Sequence, residues 1–194
     1  MVPALAVLLL AWTLAALSAS PSDAAGDRLG TAAYLTSLVG DQFSPQWLPT
    51  IVFLLAAVVS YCTGTSWGTM SILTPLVVQT TWKLIGASDD PSGLEDPLLM
   101  ASIGSVLAGS IFGDHCSPIS DTTILSSRAS GCDLMAHVWT QMPYALVVAT
   151  VSIVAGTIPV GFGVSIWIAL PLSVALLFLV VLVMGRRVDS GNVA

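Results

Sequence analysis

Ionisable side chains interrupt a long apolar stretch of this sequence at Asp114, His115 and Asp121. Such groups are costly inside a bilayer, and they usually face a partner or a water-filled cavity. The surrounding segment, Gly-Asp-His-Cys-Ser-Pro-Ile-Ser-Asp-Thr-Thr, supplies carboxylate and hydroxyl oxygens, which are the ligands that hard cations prefer. We therefore predict an ion- and proton-binding site. Its candidate residues are Asp114, Asp121, His115, Ser117, Ser120, Thr122 and Thr123.

The two carboxylates have a chemical and a structural interpretation. A carboxylate that is removed from water favours its protonated form, so the same oxygen atoms can hold either a proton or Na+. Competition between the two is the simplest physical basis of Na+/H+ exchange. Structurally, aspartate is a good helix N-cap, and Asp121 followed by two threonines is suited to begin a helix. His115 is either a proton carrier or a hydrogen-bonded core residue.

A second set of hydroxyls lies in the segment Thr-Gly-Thr-Ser-Trp-Gly-Thr, residues 63–69. Its glycines let the backbone approach a ligand closely. If the flanking helices form a hairpin, this tip reaches membrane depth and faces the break near Asp114. The alternative is an ordinary tight turn whose Trp67 belongs to an interfacial aromatic belt. The candidate tip residues are Thr63, Gly64, Thr65, Ser66, Gly68 and Thr69.

The chain that carries both segments has the composition of an integral membrane protein. Of its 194 residues, 55% are hydrophobic and 8% are charged, whereas soluble proteins have about 25% charged residues. The apolar residues come in long runs, which predict an all-α polytopic membrane protein. Five basic residues leave no patch for nucleic acid. The predicted elements are a helix over 4–19, a hairpin over 48–85, a broken helix over 98–130, and helices over 138–158 and 162–184.

The hairpin and the broken helix are predicted from length and from helix-breaking residues. Each arm of the 48–85 segment is about 22–24 Å long, short of the roughly 30 Å hydrocarbon core. Two short arms around a polar tip predict a re-entrant hairpin, with two short tilted spans as the alternative. Pro118 predicts the interruption of the 98–130 helix. Residues 1–20 also have the apolar core of a signal peptide, but they lack its positively charged start.

Small residues recur every four positions in the first half of the broken helix. They are Ala101, Ser105, Gly109 and Gly113. Residues i and i+4 lie on the same face of a helix, and small side chains let a neighbouring backbone approach closely. The spacing therefore predicts a closely packed second helix on this face.

Two other chemistries have less support in the residue spacing. His115, Cys116, Cys132 and His137 are zinc-type ligands, but their spacing matches no common zinc pattern. Asp114 and Asp121 are the paired acids that an intramembrane aspartyl protease would need, although both lie around one helix break. We predict no enzymatic activity, no cofactor, and no metal other than Na+.

At these two motifs the sequence resembles the NhaC-like Na+/H+ antiporter family. The matching segments are Gly-Thr-Ser-Trp-Gly-Thr at 64–69 and Gly-Asp-His-Cys-Ser-Pro-Ile-Ser-Asp-Thr-Thr-Ile-Leu-Ser-Ser at 113–127. Shorter agreements occur at 10–12, 29–35, 129–133 and 141–145. The resemblance implies a multi-pass secondary transporter of the plasma membrane, with inverted repeats, re-entrant hairpins and broken helices. Family chains are longer, so this sequence is expected to be one inverted-repeat half, the C-terminal one.

The resemblance also implies the partners of the chain. They are the lipid bilayer, Na+ and H+ as transported ions, and the missing N-terminal repeat or a second chain, with a homo-oligomer left open. Two alternatives share the scaffold, because a fold does not settle the substrate. One is an exchanger of organic anions or amino acids, for which Arg128 is the candidate carboxylate-binding residue. The other is a non-transporting membrane subunit.

Overall fold

The described part of the protein is built from helices. The computed structural model describes residue 13, residues 44–86 and residues 96–185, and all regular structure within these ranges is helical. The predicted helix over 4–19 lies outside the described residues, apart from Thr13. In chain order the helices are α1 (Leu48–Thr63), α2 (Ser66–Leu84), α3 (Pro97–Cys116), α4 (Asp121–Ala129), α5 (Leu134–Val151), α6 (Ile158–Gly161) and α7 (Ile166–Met184).

Four helical stretches within the described ranges are long and apolar enough to cross a membrane. They are Pro45–Thr63, Pro97–Cys116, Leu134–Gly161 and Ile166–Val183. The first joins a 3-10 turn, Pro45–Trp47, to α1 and has 19 residues. It is longer than the arm expected from the sequence, because the fixed backbone angle of proline suits the first turn of a helix. These helices make the chain a multi-pass membrane protein.

Helices α1 and α3 pack together at backbone-contact distance. A Cβ atom at Gly109 would collide with the carbonyl oxygen of Phe53, and one at Gly113 would collide with that of Ala57. The contact moves from Phe53 to Ala57 along α1 as it moves from Gly109 to Gly113 along α3. The two helices therefore run parallel. The close packing predicted from the small residues is confirmed at these two glycines, where a hydrogen atom in place of a side chain permits the approach.

A tight turn at Gly64 separates α1 from α2. Gly64 has a φ of 67°, in the left-handed region that glycine adopts without steric penalty. Thr65 then caps α2 by accepting a 3.3 Å hydrogen bond from the backbone N–H of Gly68. The turn therefore ends one helix and begins the next within two residues.

Helix α2 folds back along α1 and α3. Leu73 and Val77 of α2 belong to one buried cluster with Leu48 and Val52, from the start of α1, and with Val106 of α3. This cluster is the core of the described structure. It fixes the turn at Gly64 at the same end of the bundle as the end of α3.

Helix α6 and the π-helical turn before it lie beside the start of α1. Asp133 caps α5 with a 3.0 Å hydrogen bond from the N–H of Ala136, so this helix begins four residues before the predicted Val138. A π-helical turn, Ser152–Thr157, joins α5 to α6. Within it, Thr157 Oγ1 lies 3.1 Å from Thr50 Oγ1 of α1. This hydrogen bond ties α5 and α6 to the three-helix core.

We expect Gly113→Ala to destabilise the protein, because the added methyl group has no space against the backbone of α1. Forcing one extra carbon into packed structure typically costs about 1–3 kcal/mol. Gly104→Ala is the matched control on the same helix, since a Cβ there meets nothing within 4 Å. Alanine is also favoured over glycine inside helices. Thermal melting of both variants in detergent measures the difference, and equal melting temperatures would contradict the close packing of α1 on α3.

Candidate functional site

A break between α3 and α4 positions Asp114. Helix α3 ends at Cys116 and α4 begins at Asp121. Pro118, in the turn between them, lacks the backbone N–H that a continuing helix would need. The Asp114 side chain, in the last turn of α3, is 4% exposed. The break therefore leaves a carboxylate buried where the helix stops.

Three hydroxyl groups surround the Asp114 carboxylate. Ser120 Oγ donates to Oδ1 at 2.7 Å, and Thr122 Oγ1 donates to Oδ2 at 3.1 Å. Ser66 Oγ, at the start of α2, lies 3.5 Å from Oδ2 and completes the set at a longer distance. We call Ser66, Ser120 and Thr122 the hydroxyl ring. It brings two separate segments of the chain to one acid, the start of α2 and the turn that leads into α4.

The electrostatics of this arrangement are unbalanced. Within the described ranges, the hydrogen-bond partners of the Asp114 carboxylate are neutral hydroxyls. Burial of a charged group without a counter-charge is strongly unfavourable. A proton or a bound cation would neutralise the carboxylate. The site is therefore suited to hold either one.

The tip of the α1–α2 hairpin contacts the break directly. A Cβ atom at Gly64 would lie 2.9 Å from the carbonyl oxygen of Ile119, so the absence of a side chain allows the two segments to touch. This contact brings Ser66, two residues after the turn, to Asp114. The structure thus brings both sequence motifs into one site.

The other polar residues of the tip serve the local helices. Thr63 Oγ1 donates to the carbonyl of Val59 at 2.9 Å, and the buried Thr69 donates to the carbonyl of Thr65 at 2.9 Å. A Cβ at Gly68 would lie 2.9 Å from Cγ2 of Thr65, so glycine makes room for the cap. Among the described contacts, Ser66 is the tip residue that reaches the carboxylate.

Asp121 differs from Asp114 in its exposure to solvent. It is the exposed first residue of α4. The helix is capped by Ser120, whose Oγ accepts from the N–H of Thr122 at 3.3 Å, rather than by Asp121. A negative charge at this position interacts favourably with the N-terminal end of the helix dipole. The role of Asp121 as an ion ligand stays a prediction.

His115, Ser117 and Thr123 lie around the break without a hydrogen bond to the Asp114 side chain among the described contacts. His115 is exposed, with Nδ1 3.2 Å from the carbonyl oxygen of Ile111. Ser117 is fully buried, and its Oγ accepts from the N–H of Ile119 at 3.4 Å. Thr123 is 3% exposed. Ser117 and Thr123 are therefore buried on the interior side of the break.

One buried polar residue near the site was not among the candidates from the sequence. Ser110 is completely buried and lies four residues before Asp114 on α3. That spacing places it on the same helix face as the acid, so helical periodicity was the available signal. Concerning zinc, the described residues contain no group of three or more His, Cys, Asp or Glu side chains that could hold a metal ion.

Buried carboxylates at broken helices within multi-pass bundles are characteristic of secondary transporters. The model of the Na+/H+ antiporter family matches residues 1–162. The chain belongs to the Na+/H+ antiporter family.

Three relatives illustrate the range of proteins that are similar to this chain. An uncharacterized protein of Haemophilus influenzae is 42% identical over 159 residues, which are 82% of this chain and 27% of that protein. An uncharacterized Na+/H+ antiporter of the same organism is 38% identical over 117 residues, 58% of this chain and 23% of the relative. A malate-2H+/Na+-lactate antiporter of Bacillus subtilis is 34% identical over 116 residues, 57% of this chain and 22% of the relative.

The chain spans about a quarter of the length of the relatives it matches. This share is smaller than the half that the family resemblance implied. No solved structure matches the chain significantly.

Proposed function

We propose that this chain carries the cation- and proton-binding carboxylate of a secondary active antiporter that exchanges Na+ for H+ across the plasma membrane. The observation that carries the proposal is Asp114, which is 4% exposed and surrounded by the neutral hydroxyl ring. A buried acid with neutral partners needs a positive charge to balance it. The chain belongs to the Na+/H+ antiporter family, whose name gives the two cations, Na+ and the proton.

The exchange follows from competition at one group. When Asp114 is protonated, it is neutral and needs no cation. When the proton leaves, the carboxylate binds Na+, and the hydroxyls of the ring rotate so that their oxygen lone pairs face the ion. A hydroxyl has both a donor hydrogen and acceptor lone pairs, so the same ring serves both states. One site thereby carries two ions in alternation.

The proposal includes a re-entrant hairpin in one inverted-repeat half. The first arm, Pro45–Thr63, is long and apolar enough to span a membrane, but the second arm, α2, is not among the described stretches that are. The turn at Gly64 lies beside the break. In transporters built from inverted repeats, the ion site lies between the repeats near the bilayer midplane. The chain therefore works with a further repeat, either of the same polypeptide or of a second chain.

We expect a cysteine at Trp67, an exposed residue of the tip, to react slowly with a bulky membrane-impermeant maleimide. In a re-entrant hairpin this position lies within the membrane, where such a reagent does not reach. A cysteine at Gln46, at the other end of α1, is the control and should react quickly. Both are made in a background without the native cysteines. Rapid labelling of the tip from the side opposite to Gln46 would show two full spans instead.

A second candidate function is exchange of organic anions, because one relative is a malate-2H+/Na+-lactate antiporter. A carboxylate substrate would favour a buried arginine in the site. Arg128, however, lies exposed in the last turn of α4, and it is not among the described partners of Asp114. The oxygen-only ring therefore favours Na+ and H+.

The test is the collapse of an imposed pH gradient on addition of Na+ to vesicles that contain the complete assembly. The wild-type sequence is compared with Asp114→Asn. Collapse with Na+ salts of an impermeant anion supports Na+/H+ exchange. A response that requires malate or lactate would support the second candidate.

A further inference from the structure

Ser110 carries a buried hydroxyl without a hydrogen-bond partner. Among the buried side-chain oxygen and nitrogen atoms of the described residues, Ser110 Oγ is the one that has no hydrogen-bond partner. The residue is completely buried, and its backbone carbonyl accepts a 2.6 Å hydrogen bond from Ser60 Oγ of α1. Ser110 thus lies inside the packed bundle. A buried hydroxyl left without a partner costs free energy, so its retention calls for an explanation.

A serine on the same helix shows what a structural hydroxyl does here. Ser102 is also completely buried, and its Oγ donates to the carbonyl of Leu98, four residues earlier, at 2.7 Å. This is the usual way for a helical serine to satisfy its hydroxyl. The Ser110 hydroxyl does not make the equivalent bond, so its oxygen and its hydrogen are both available to a ligand.

The position of Ser110 points to the nature of that ligand. It precedes Asp114 by four residues on α3, and side chains at this spacing have Cβ atoms about 5–6 Å apart. Oxygen ligands lie about 2.3–2.6 Å from a hard cation. Two oxygen ligands of one such ion lie up to about 5 Å apart, which is close to the spacing of these two Cβ atoms.

We propose that Ser110 Oγ is a further ligand of the cation held by Asp114, so that the site extends one helical turn back along α3. The inference rests on the proposed function. The hydroxyl ring approaches the carboxylate from the tip, the break and α4, whereas Ser110 supplies an oxygen from the interior of the bundle. Together these groups enclose a small cation with oxygen atoms from several directions.

This ligand distinguishes Na+ from a proton. Protonation of Asp114 involves a carboxylate oxygen only, while coordination of Na+ requires several oxygens around the ion. Loss of the Ser110 hydroxyl should therefore weaken Na+ binding selectively. If the hydroxyl were only a packing feature, its removal would leave Na+ binding unchanged and would remove an unsatisfied buried group.

The experiment measures the melting temperature of the purified chain in detergent as NaCl replaces choline chloride at constant ionic strength. We expect Ser110→Ala to raise the Na+ concentration for half-maximal stabilisation by roughly three- to tenfold, the size of one neutral hydrogen-bonding group. Without Na+, this variant should melt at or above the wild-type temperature. Ser102→Ala, the matched control, should keep the wild-type Na+ dependence.

The outcomes separate the inference from the function on which it rests. Wild-type Na+ dependence in Ser110→Ala, together with loss of the response in Asp114→Asn, overturns the role of Ser110 and leaves the Asp114 site standing. Equal weakening in Ser110→Ala and Ser102→Ala shows a general packing effect and also overturns it. No Na+ response in the wild-type chain overturns the site itself.

Discussion

Asp114→Asn is expected to abolish Na+-driven proton exchange in the complete assembly while the protein still inserts into the membrane. The amide keeps the size of the side chain. Its oxygen accepts from the hydroxyl ring on one side, and its NH2 donates on the other side, where the hydroxyls must turn to accept. The amide cannot release a proton and has no charge for Na+. Interactions with a charged group contribute about 1.5–3 kcal/mol. Their loss lowers the affinity for Na+ by roughly 10- to 150-fold. Because the amide does not give up a proton in return for Na+, exchange stops altogether.

The assay follows the collapse of a pH gradient on Na+ addition across a pH series, with the amount of inserted protein measured in the same membranes. Asp121→Asn makes the same chemical change at an exposed acid outside the hydroxyl ring, and it tests the predicted role of Asp121 as a second ion ligand. We expect it to retain exchange, with at most a higher Na+ requirement. Exchange at the wild-type level from Asp114→Asn would show that this acid only stabilises the helix break.

The purified chain by itself is expected to catalyse no exchange. Transport sites in inverted-repeat proteins lie between two repeats, and this chain spans about a quarter of the length of its relatives. In the described structure, the side of the site formed by Thr122 is exposed. Alternating access requires one repeat to move against the other around the site. Without a second repeat, the site cannot open to one side of the membrane and then to the other.

Proteoliposomes that contain the chain should show no Na+-driven pH change above empty vesicles. Two controls make this negative result informative. A Na+/H+ ionophore added at the end shows that the gradient was present, and Na+-dependent thermal stabilisation of the same preparation shows that the chain is folded. Robust exchange by the chain without any partner would refute the requirement for a second repeat.

Much of the architecture was predictable because its causes are local. A charged content of 8% cannot cover the surface of a soluble domain, so the membrane class follows from composition. Pro118 removes a backbone donor wherever it stands in a helix, and the helix does end just before it. The close approach at Gly109 and Gly113 was likewise visible, because helical spacing places small residues on one face.

The two acids differ in burial, and the sequence did not indicate this difference. Asp114 and Asp121 were both expected at the ion site because they lie within the long apolar stretches and flank the break at Pro118. The turn over residues 117–120 separates α3 from α4, so the two acids do not belong to one continuous helix. As a result, Asp114 is buried while Asp121 begins a new helix on the exposed side.

The sequence by itself therefore determined the class of protein, the position of the break and the acid that matters most to the proposal. Only the tertiary structure decided which groups surround that acid. Ser66 comes from 48 residues earlier in the chain, and it reaches Asp114 because Gly64 lets the tip touch the break. Such a contact depends on how three helices pack in space, and neither residue type nor periodicity within one helix encodes it.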